Sequence, residues 1–147
     1  MANVMIMMGS NSDMDIMKKA QELLTSYDIN SEIIVASAHR NPQRVHEIAQ
    51  EVEENYDVVI AGAGMAAHLA GVMASLVTKP VIGVPINASL NGLDSLLSVS
   101  QMPPGIPVAT VAINGSKNAA ILAMEILALS NDDIKQKLKS LRDDFNK

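Results

Sequence analysis

The residues best suited to chemistry are His39 and Arg40, which stand side by side in the segment SAHRNP. An imidazole can give and take a proton near neutral pH, and a guanidinium can bind two phosphate oxygens at once. A loop histidine has no catalytic role in most proteins, so His39 alone is a weak signal. Its position beside Arg40, after a predicted strand, favours a site that holds a phosphorylated small molecule and works on it through His39.

A second polar segment, GSNSD, runs from Gly9 to Asp13 after the first apolar run. Gly9 permits a sharp turn, Ser10 and Ser12 supply hydroxyls, and the start of the next helix supplies free amide donors that favour an anion. Asp13 would repel a phosphate, so we expect it to accept hydrogen bonds from sugar hydroxyls. The alternative is that Ser12 or Asp13 only caps the helix, and the segment alone leaves both readings open.

Small residues dominate a third segment, GAGMAAH, from Gly62 to His68. Small side chains let backbone amides approach a ligand closely, although tight helix–sheet packing alone can also require Gly64 and Ala67. His68 is either a ligand contact or a core histidine, and its chemistry slightly favours the core. His46 falls within a predicted helix, where we expect a solvated position.

The connection Pro85–Pro104 is long for a link between a strand and a helix, and it suggests a lid or wall built around a short helix, Leu93–Val99. The chain has no G-x-S-x-G elbow and no histidines at the spacing of metal ligands. We therefore expect a site that uses neither a metal nor an organic cofactor.

Short apolar runs predict five strands, and most are continuous, as in a sheet covered on both faces. The predicted strands are Asn3–Met8, Glu32–Ala36, Asp57–Ala61, Val81–Val84 and Pro107–Ala112. The other predicted helices are Asp13–Tyr27, Pro42–Asn55, Ala66–Val77, Asn118–Leu129 and a charged tail helix, Asp132–Phe145.

Strands that alternate with helices predict an α/β fold, a doubly wound parallel sheet in flavodoxin-like order, with residues 1–147 as a single catalytic domain. The carboxyl ends of parallel strands meet at one edge of the sheet, where open α/β folds bind ligands. The polar segments all follow strands. We therefore expect them to gather at that edge.

Composition narrows the function classes. Apolar residues make up 48% of the 147, which excludes disorder, and the net charge of −5 gives no basic surface for nucleic acid or anionic membranes. The absence of cysteine excludes disulfides and fits a cytoplasmic protein. The apolar run Val4–Met8 is too short for a signal peptide or a membrane span. A mean hydropathy of +0.18 favours either oligomerisation or a dense core.

Five segments together resemble the catalytic subunits of phosphoribosylaminoimidazole carboxylase. The closer resemblance is to the bacterial class I form of that family, the N5-carboxyaminoimidazole ribonucleotide mutases. The segments cover almost the whole chain in order: GSNSD, SAHRNP, AGAGMAAHLAG, LNGLDSLLSVSQMPPGIPVATVAI and KNAAILA.

The resemblance implies a three-layer α/β/α fold, a homo-octamer and an isomerase of de novo purine (IMP) biosynthesis. In that family a carboxylate moves from the exocyclic amine of an aminoimidazole ribonucleotide to ring carbon C4, without metal or cofactor. A separate ATP-dependent enzyme makes the carbamate substrate. The proton-transfer residue would be His39. The substrate-binding residues, taken with the segments above, would be Ser10, Ser12, Asp13, Ser37, Ala38, Arg40, Gly64, Ala66, Ala67, His68 and Leu69.

Two alternatives stay open. The first is a direct, CO2-dependent carboxylase of aminoimidazole ribonucleotide. Animal-type carboxylases of this kind usually carry lysine where this chain has Arg40 and lack the sequence AAHL, which favours the mutase. The second is a flavodoxin-like binding or signalling module, which is disfavoured because no aromatic residue lies at the ligand edge to stack on a flavin.

Overall fold

The computed structural model describes residues 2–147, whose five strands form one parallel sheet in the order β2-β1-β3-β4-β5. This is the flavodoxin-like order predicted from the sequence. The strands are β1 Asn3–Met8, β2 Asn30–Val35, β3 Val58–Gly64, β4 Val81–Ile86 and β5 Ala109–Thr110.

Within residues 2–147, six α-helices and two short 3-10 turns connect and follow the strands. The helices are α1 Met14–Ser26, α2 Pro42–Asn55, α3 Leu69–Leu76, α4 Leu93–Ser100, α5 Ser116–Ala128 and α6 Asp132–Asp144. The 3-10 turns are Asn11–Asp13 before α1 and Leu90–Gly92 before α4. In residues 2–147 no helix combines the length and apolarity needed to cross a bilayer.

Side chains of β1 alternate between two cores, one on each face of the sheet. Val4, Ile6 and Met8 pack with α1 and α5, whereas Met5 and Met7 pack with α2 and α3. All five side chains are fully buried. Because β1 is covered on both faces, its sequence is continuously apolar, and the fold has three layers.

The glycine-rich segment Gly62–His68 was predicted to be a turn, but its first three residues belong to a strand. Gly62 and Gly64 still belong to β3, because they pair with Val84 and Ile86 of β4. A Cβ at Gly62 would overlap the side chain of Met17 in α1, so a larger residue there would force Met17 to move. The turn itself begins at Met65, and α3 starts at Leu69 rather than at the predicted Ala66.

The edge strand β5 is shorter than predicted. Only Ala109 and Thr110 of the predicted Pro107–Ala112 pair with β4 as a strand. Pro107 lacks an amide hydrogen and so cannot extend the ladder as a donor. Pro107 therefore limits β5 at its amino end.

Candidate active site

A cavity of about 390 Å³ lies at the carboxyl edge of the sheet, between the loops that follow β1, β2 and β3. The site residues expected from the sequence all line it, so the three segments do converge. They are Ser10, Ser12, Asp13, Ser37, Ala38, His39, Arg40, Gly64, Ala66, Ala67, His68 and Leu69.

The imidazoles of His39 and His68 are in direct contact within this cavity. Nε2 of His39 lies 2.6 Å from Nδ1 of His68, and the ring centroids are 4.7 Å apart in an edge-to-face arrangement at 74°. Both residues are exposed, so the interpretation of His68 as a core histidine is wrong. His46 lies on the exposed face of α2, as expected. At this distance one nitrogen donates a hydrogen bond to the other, so the protonation of one ring affects that of its partner.

The sequence places His39 and Arg40 on a loop whose far end is fixed by the start of α2. Oδ1 of Asn41 accepts a hydrogen bond of 3.2 Å from the amide of Arg44, and Pro42 occupies the first helical position. Both are strong local signals for a helix start, because they meet the needs of its unpaired amides. The loop is therefore short and its two functional side chains are held close to β2.

The Arg40 side chain connects the loop after β2 to the loop after β1. Its Nε donates to Oγ of Ser37 at 3.4 Å, and its Nη2 donates to the carbonyl oxygen of Gly9 at 3.4 Å. The Gly9 amide in turn donates to the Gly62 carbonyl at 3.2 Å. These bonds use only part of the guanidinium's donor capacity, so the remaining N–H groups are available to an anion in the cavity.

Ser10 and Ser12 form a compact hydroxyl pair at the start of the 3-10 turn. Oγ of Ser10 accepts hydrogen bonds from the amide of Ser12 at 3.3 Å and from its hydroxyl at 2.9 Å. Ser10, not Ser12 or Asp13, is thus the residue that caps. The side chain of Asp13 makes no capping hydrogen bond to α1, so the capping interpretation of Asp13 is wrong.

Asp13 is the one carboxyl that lines the cavity, and it is only 7% exposed. Burial raises the pKa of this carboxyl above its ordinary value, and a hydrogen bond from the Ser10 backbone opposes part of that rise. A buried carboxylate with unused acceptor capacity gains most from a ligand that brings hydroxyl donors.

The loop after β3 has an unusual backbone. Met65 has φ +54° and Ala67 has φ +25°, and the amide of Ala67 donates to the Gly64 carbonyl at 3.1 Å. A Cβ at Gly64 would lie 2.7 Å from Cβ of Ala88, so glycine is needed where this loop meets the loop after β4. Packing does restrict Gly64, but against β4 and the loop that follows it rather than between a helix and the sheet as expected, and Gly64 also lies on the cavity wall.

Four residues of the lining were not among the expected site residues: Gly9, Ala63, Met65 and Ala88. Their side chains carry no ionisable or hydrogen-bonding group, and their position directly after a strand was the signal that pointed to them. Of the long connection Pro85–Pro104, Ala88 lines the cavity, whereas α4 packs on the sheet. The fully buried Ser95 fixes α4 there, since its hydroxyl lies 2.9 Å from the carbonyls of Ile86 and Gly92. The connection thus contributes a wall, not a lid.

The side chains of the cavity do not form a set of metal ligands. In the described part of the chain, residues 2–147, no three side chains of His, Asp or Glu are grouped closely enough to hold a metal ion. The donor set of the cavity is therefore two imidazoles, one guanidinium, one carboxyl, several hydroxyls and backbone amides. Such a set suits an anionic, hydroxylated ligand and proton transfer.

Known proteins resemble the chain over nearly all of its length. The N5-carboxyaminoimidazole ribonucleotide mutase of Pyrococcus abyssi is 56% identical over 149 aligned positions, covering 100% of this chain and 86% of that protein. The protein of the same name from Methanocaldococcus jannaschii is 55% identical, covering 98% of this chain and 90% of that protein. The chloroplastic phosphoribosylaminoimidazole carboxylase of Vigna aconitifolia is 48% identical over 93% of this chain, which spans 25% of that longer protein.

The fold and the family agree with these relatives. The crystal structure of Treponema denticola PurE superposes with a TM-score of 0.91 at 31% sequence identity, covering 99% of this chain and 92% of that one. The family described as AIR carboxylase matches residues 3–147. The chain is therefore a member of the AIR carboxylase family.

Proposed function

We propose that this chain is an isomerase of de novo purine biosynthesis that converts N5-carboxyaminoimidazole ribonucleotide to 4-carboxy-5-aminoimidazole ribonucleotide. The observation that carries the proposal is the convergence of His39, Arg40 and the Ser10 turn on one cavity. Relatives of this name at 56% and 55% identity support the choice of reaction.

In this proposal the cavity orients the nucleotide by its phosphate and its ribose. The phosphate lies at the Ser10–Ser12 hydroxyls and the free N–H groups of Arg40, which together offer charge-assisted hydrogen bonds. The ribose hydroxyls donate to the buried carboxylate of Asp13. Fixing the phosphate and the ribose directs the imidazole ring of the substrate toward the loop after β3 and toward His39.

His39 performs both proton transfers of the proposed reaction. It first donates a proton to the exocyclic nitrogen as the carbamate C–N bond breaks, so that the bond's electron pair stays on nitrogen and CO2 is released. Ring carbon C4 then attacks the CO2 carbon and forms the new C–C bond. His39 finally takes the C4 proton, which restores aromaticity and returns His39 to its starting state, so protons and electrons balance.

His68 serves this cycle as the partner of His39. With Nε2 of His39 engaged by Nδ1 of His68 at 2.6 Å, the first ring is held in one orientation. The hydrogen bond also couples the protonation of the two rings, because only one of the two facing nitrogens can carry the hydrogen between them. A base that must act twice on two different atoms gains from such restraint, because its reach is set before the substrate arrives.

The proposal includes the setting of the enzyme: a single catalytic domain, a cytoplasmic location, a homo-octamer and a functional link to the ATP-dependent enzyme that makes the unstable carbamate. Support for assembly comes from apolar side chains left in solvent on one surface, Leu90, Leu93 and Leu97, which are 73%, 55% and 46% exposed. Light scattering tests this: an octameric mass is expected, and Leu97→Asp is expected to reduce it. A monomeric mass for the unmodified chain would contradict it.

A cheap assay separates the mutase from the direct carboxylase. One reaction receives the carbamate in buffer depleted of CO2, and the other receives aminoimidazole ribonucleotide with bicarbonate. A mutase forms the C4-carboxylated product rapidly in the first and slowly in the second. If product forms only when bicarbonate is added, whichever substrate is supplied, the carboxylase is favoured. The plant relative at 48% identity carries the name of such a carboxylase. His39→Asn serves as the blank for uncatalysed breakdown.

A further inference from the structure

Met65 combines three properties at the rim of the cavity. It lines the cavity, its side chain is 61% exposed, and its backbone has φ +54° in the left-handed region. It stands directly between the cavity residues Gly64 and Ala66. An apolar residue in this position is unfavourable twice over, because its Cβ strains the backbone and its side chain is left in water.

Glycine at position 65 would remove both costs. The methionine side chain therefore gains nothing in the empty cavity, where it is mostly in solvent. Its burial becomes favourable only in a state that covers it. A ligand bound in the cavity that Met65 lines provides that state. Backbone strain at Met65 is therefore explained by a role in ligand binding.

The neighbouring wall cannot supply the same cover. Ala63, Ala66 and Ala88 have side chains of one carbon, and Leu69 is 2% exposed and fixed in the core. Methionine is unbranched, with three rotatable bonds and no hydrogen-bonding requirement, so it adapts to the shape of a bound ring. Met65 is the long apolar side chain on this wall that has freedom to move over the mouth.

We propose that the Met65 side chain closes over the occupied cavity and retains the CO2 that is released between the two steps of the reaction. This inference rests on the proposed mutase reaction. CO2 is small, uncharged and apolar, so polar groups of the site hold it poorly and an apolar cover hinders its escape. Closure also excludes water from the cavity while the CO2 is held there.

The test follows escape and exchange of CO2. Unlabelled carbamate is converted in the presence of ¹³C-labelled bicarbonate and carbonic anhydrase, and the labelled fraction of the C4-carboxylated product is measured by mass spectrometry. Met65→Gly and Met65→Ala are expected to raise that fraction about fivefold over the unmodified enzyme, because the apolar cover is lost. Met65→Leu, which keeps an apolar side chain of similar volume, is expected to stay within about twofold.

A matched control isolates the side chain from the backbone. Asp28 also has a positive φ, +57°, but lies in the turn between α1 and β2 at the opposite edge of the sheet. Asp28→Gly relaxes the backbone in the same way and should leave the labelled fraction unchanged. Equal labelling in Met65→Gly and the unmodified enzyme, with both converting the carbamate, would overturn this inference and leave the proposed function standing. An unmodified enzyme that does not convert the carbamate would overturn both.

Discussion

His39 and His68 belong to loops that follow different strands, yet Nε2 of one lies 2.6 Å from Nδ1 of the other. The contact joins the loop after β2 to the loop after β3 across the end of β1, because β1 lies between these two strands in the sheet. Each ring therefore limits the orientation of the other. Removal of either ring is expected to change activity, but in different ways.

His39→Asn is expected to lower kcat by a factor of about 1,000 or more, since it removes the group that transfers both protons. Binding of the product nucleotide should change by less than about threefold, because the phosphate and ribose contacts remain. Steady-state kinetics and calorimetry check the two parts. His46→Asn is the control, since His46 is exposed on α2 away from the cavity lining. Full activity in His39→Asn would remove His39 from the mechanism.

His68→Phe is expected to lower kcat about tenfold, the loss that follows from one hydrogen bond to a reacting group. His68→Asn keeps a hydrogen-bonding group near Nε2 of His39 and should recover part of that loss. KM should move less than kcat in both variants, because orientation of His39 matters most in the proton-transfer steps. Equal kcat values in the Phe and Asn variants would argue against a positioning role for His68.

Arg40→Ala is expected to raise KM by about 10- to 100-fold with a much smaller effect on kcat, since phosphate binding is uniform along the reaction. Arg40→Lys retains the charge but not the forked donor geometry, so its KM should lie between those of the unmodified enzyme and Arg40→Ala. Initial rates over a range of substrate concentrations distinguish the two parameters. A large fall in kcat with KM unchanged would contradict phosphate binding by Arg40.

Asp13→Asn tests the consequence of burial for stability. Because burial raises the pKa of Asp13 in the folded chain, the folded state holds the proton to higher pH than the unfolded state does. The stability contributed by the protonated carboxyl is therefore present at low pH and is lost as pH rises through the folded pKa. Asp13→Asn should increase the free energy of unfolding at pH 7, and the increase should shrink as pH falls toward the ordinary pKa of 3.8.

Urea titrations at neutral and acidic pH measure this difference, and activity assays supply the other half of the expectation. Substrate KM should rise about tenfold in Asp13→Asn, because a neutral amide oxygen accepts ribose hydroxyls less strongly than a carboxylate does. Asp15→Asn provides a contrast of opposite sign. Asp15 is exposed in the first turn of α1, where its charge favours the helix, so its loss should destabilise slightly at neutral pH.

Local signals in the sequence predicted local structure well. The bounds of α2 were predicted correctly because Asn41 and Pro42 mark a helix start through the needs of adjacent backbone groups. The strand order was also predicted correctly, as was the gathering of polar segments at one edge of the sheet. Alternating elements and short connections leave few arrangements of a parallel sheet, so these features follow from patterns that span few residues.

Features that depend on contacts between distant segments were not predictable. The contact of His39 with His68 requires the exact heights at which two loops leave the sheet, and β3 proved three residues longer than its apolar run because Gly62 to Gly64 pair with β4. The left-handed backbone at Met65 depends on the turn of residues 65–68, which connects the longer β3 to the later start of α3. A methionine gives no sign of that conformation in its own chemistry.

The hydrogen bond from the Gly9 amide to the Gly62 carbonyl, and that from Arg40 to the Gly9 carbonyl, are made to the main chain. The bond between Gly9 and Gly62 depends on no side chain, and the bond to the Gly9 carbonyl depends only on Arg40. Directed evolution that randomises Ser10, Met65 and Ala88 is therefore expected to change the nucleotide specificity while the main-chain hydrogen bonds between the loops are kept. The side chains that line the cavity can therefore be varied separately from the main-chain hydrogen bonds that hold the loops together.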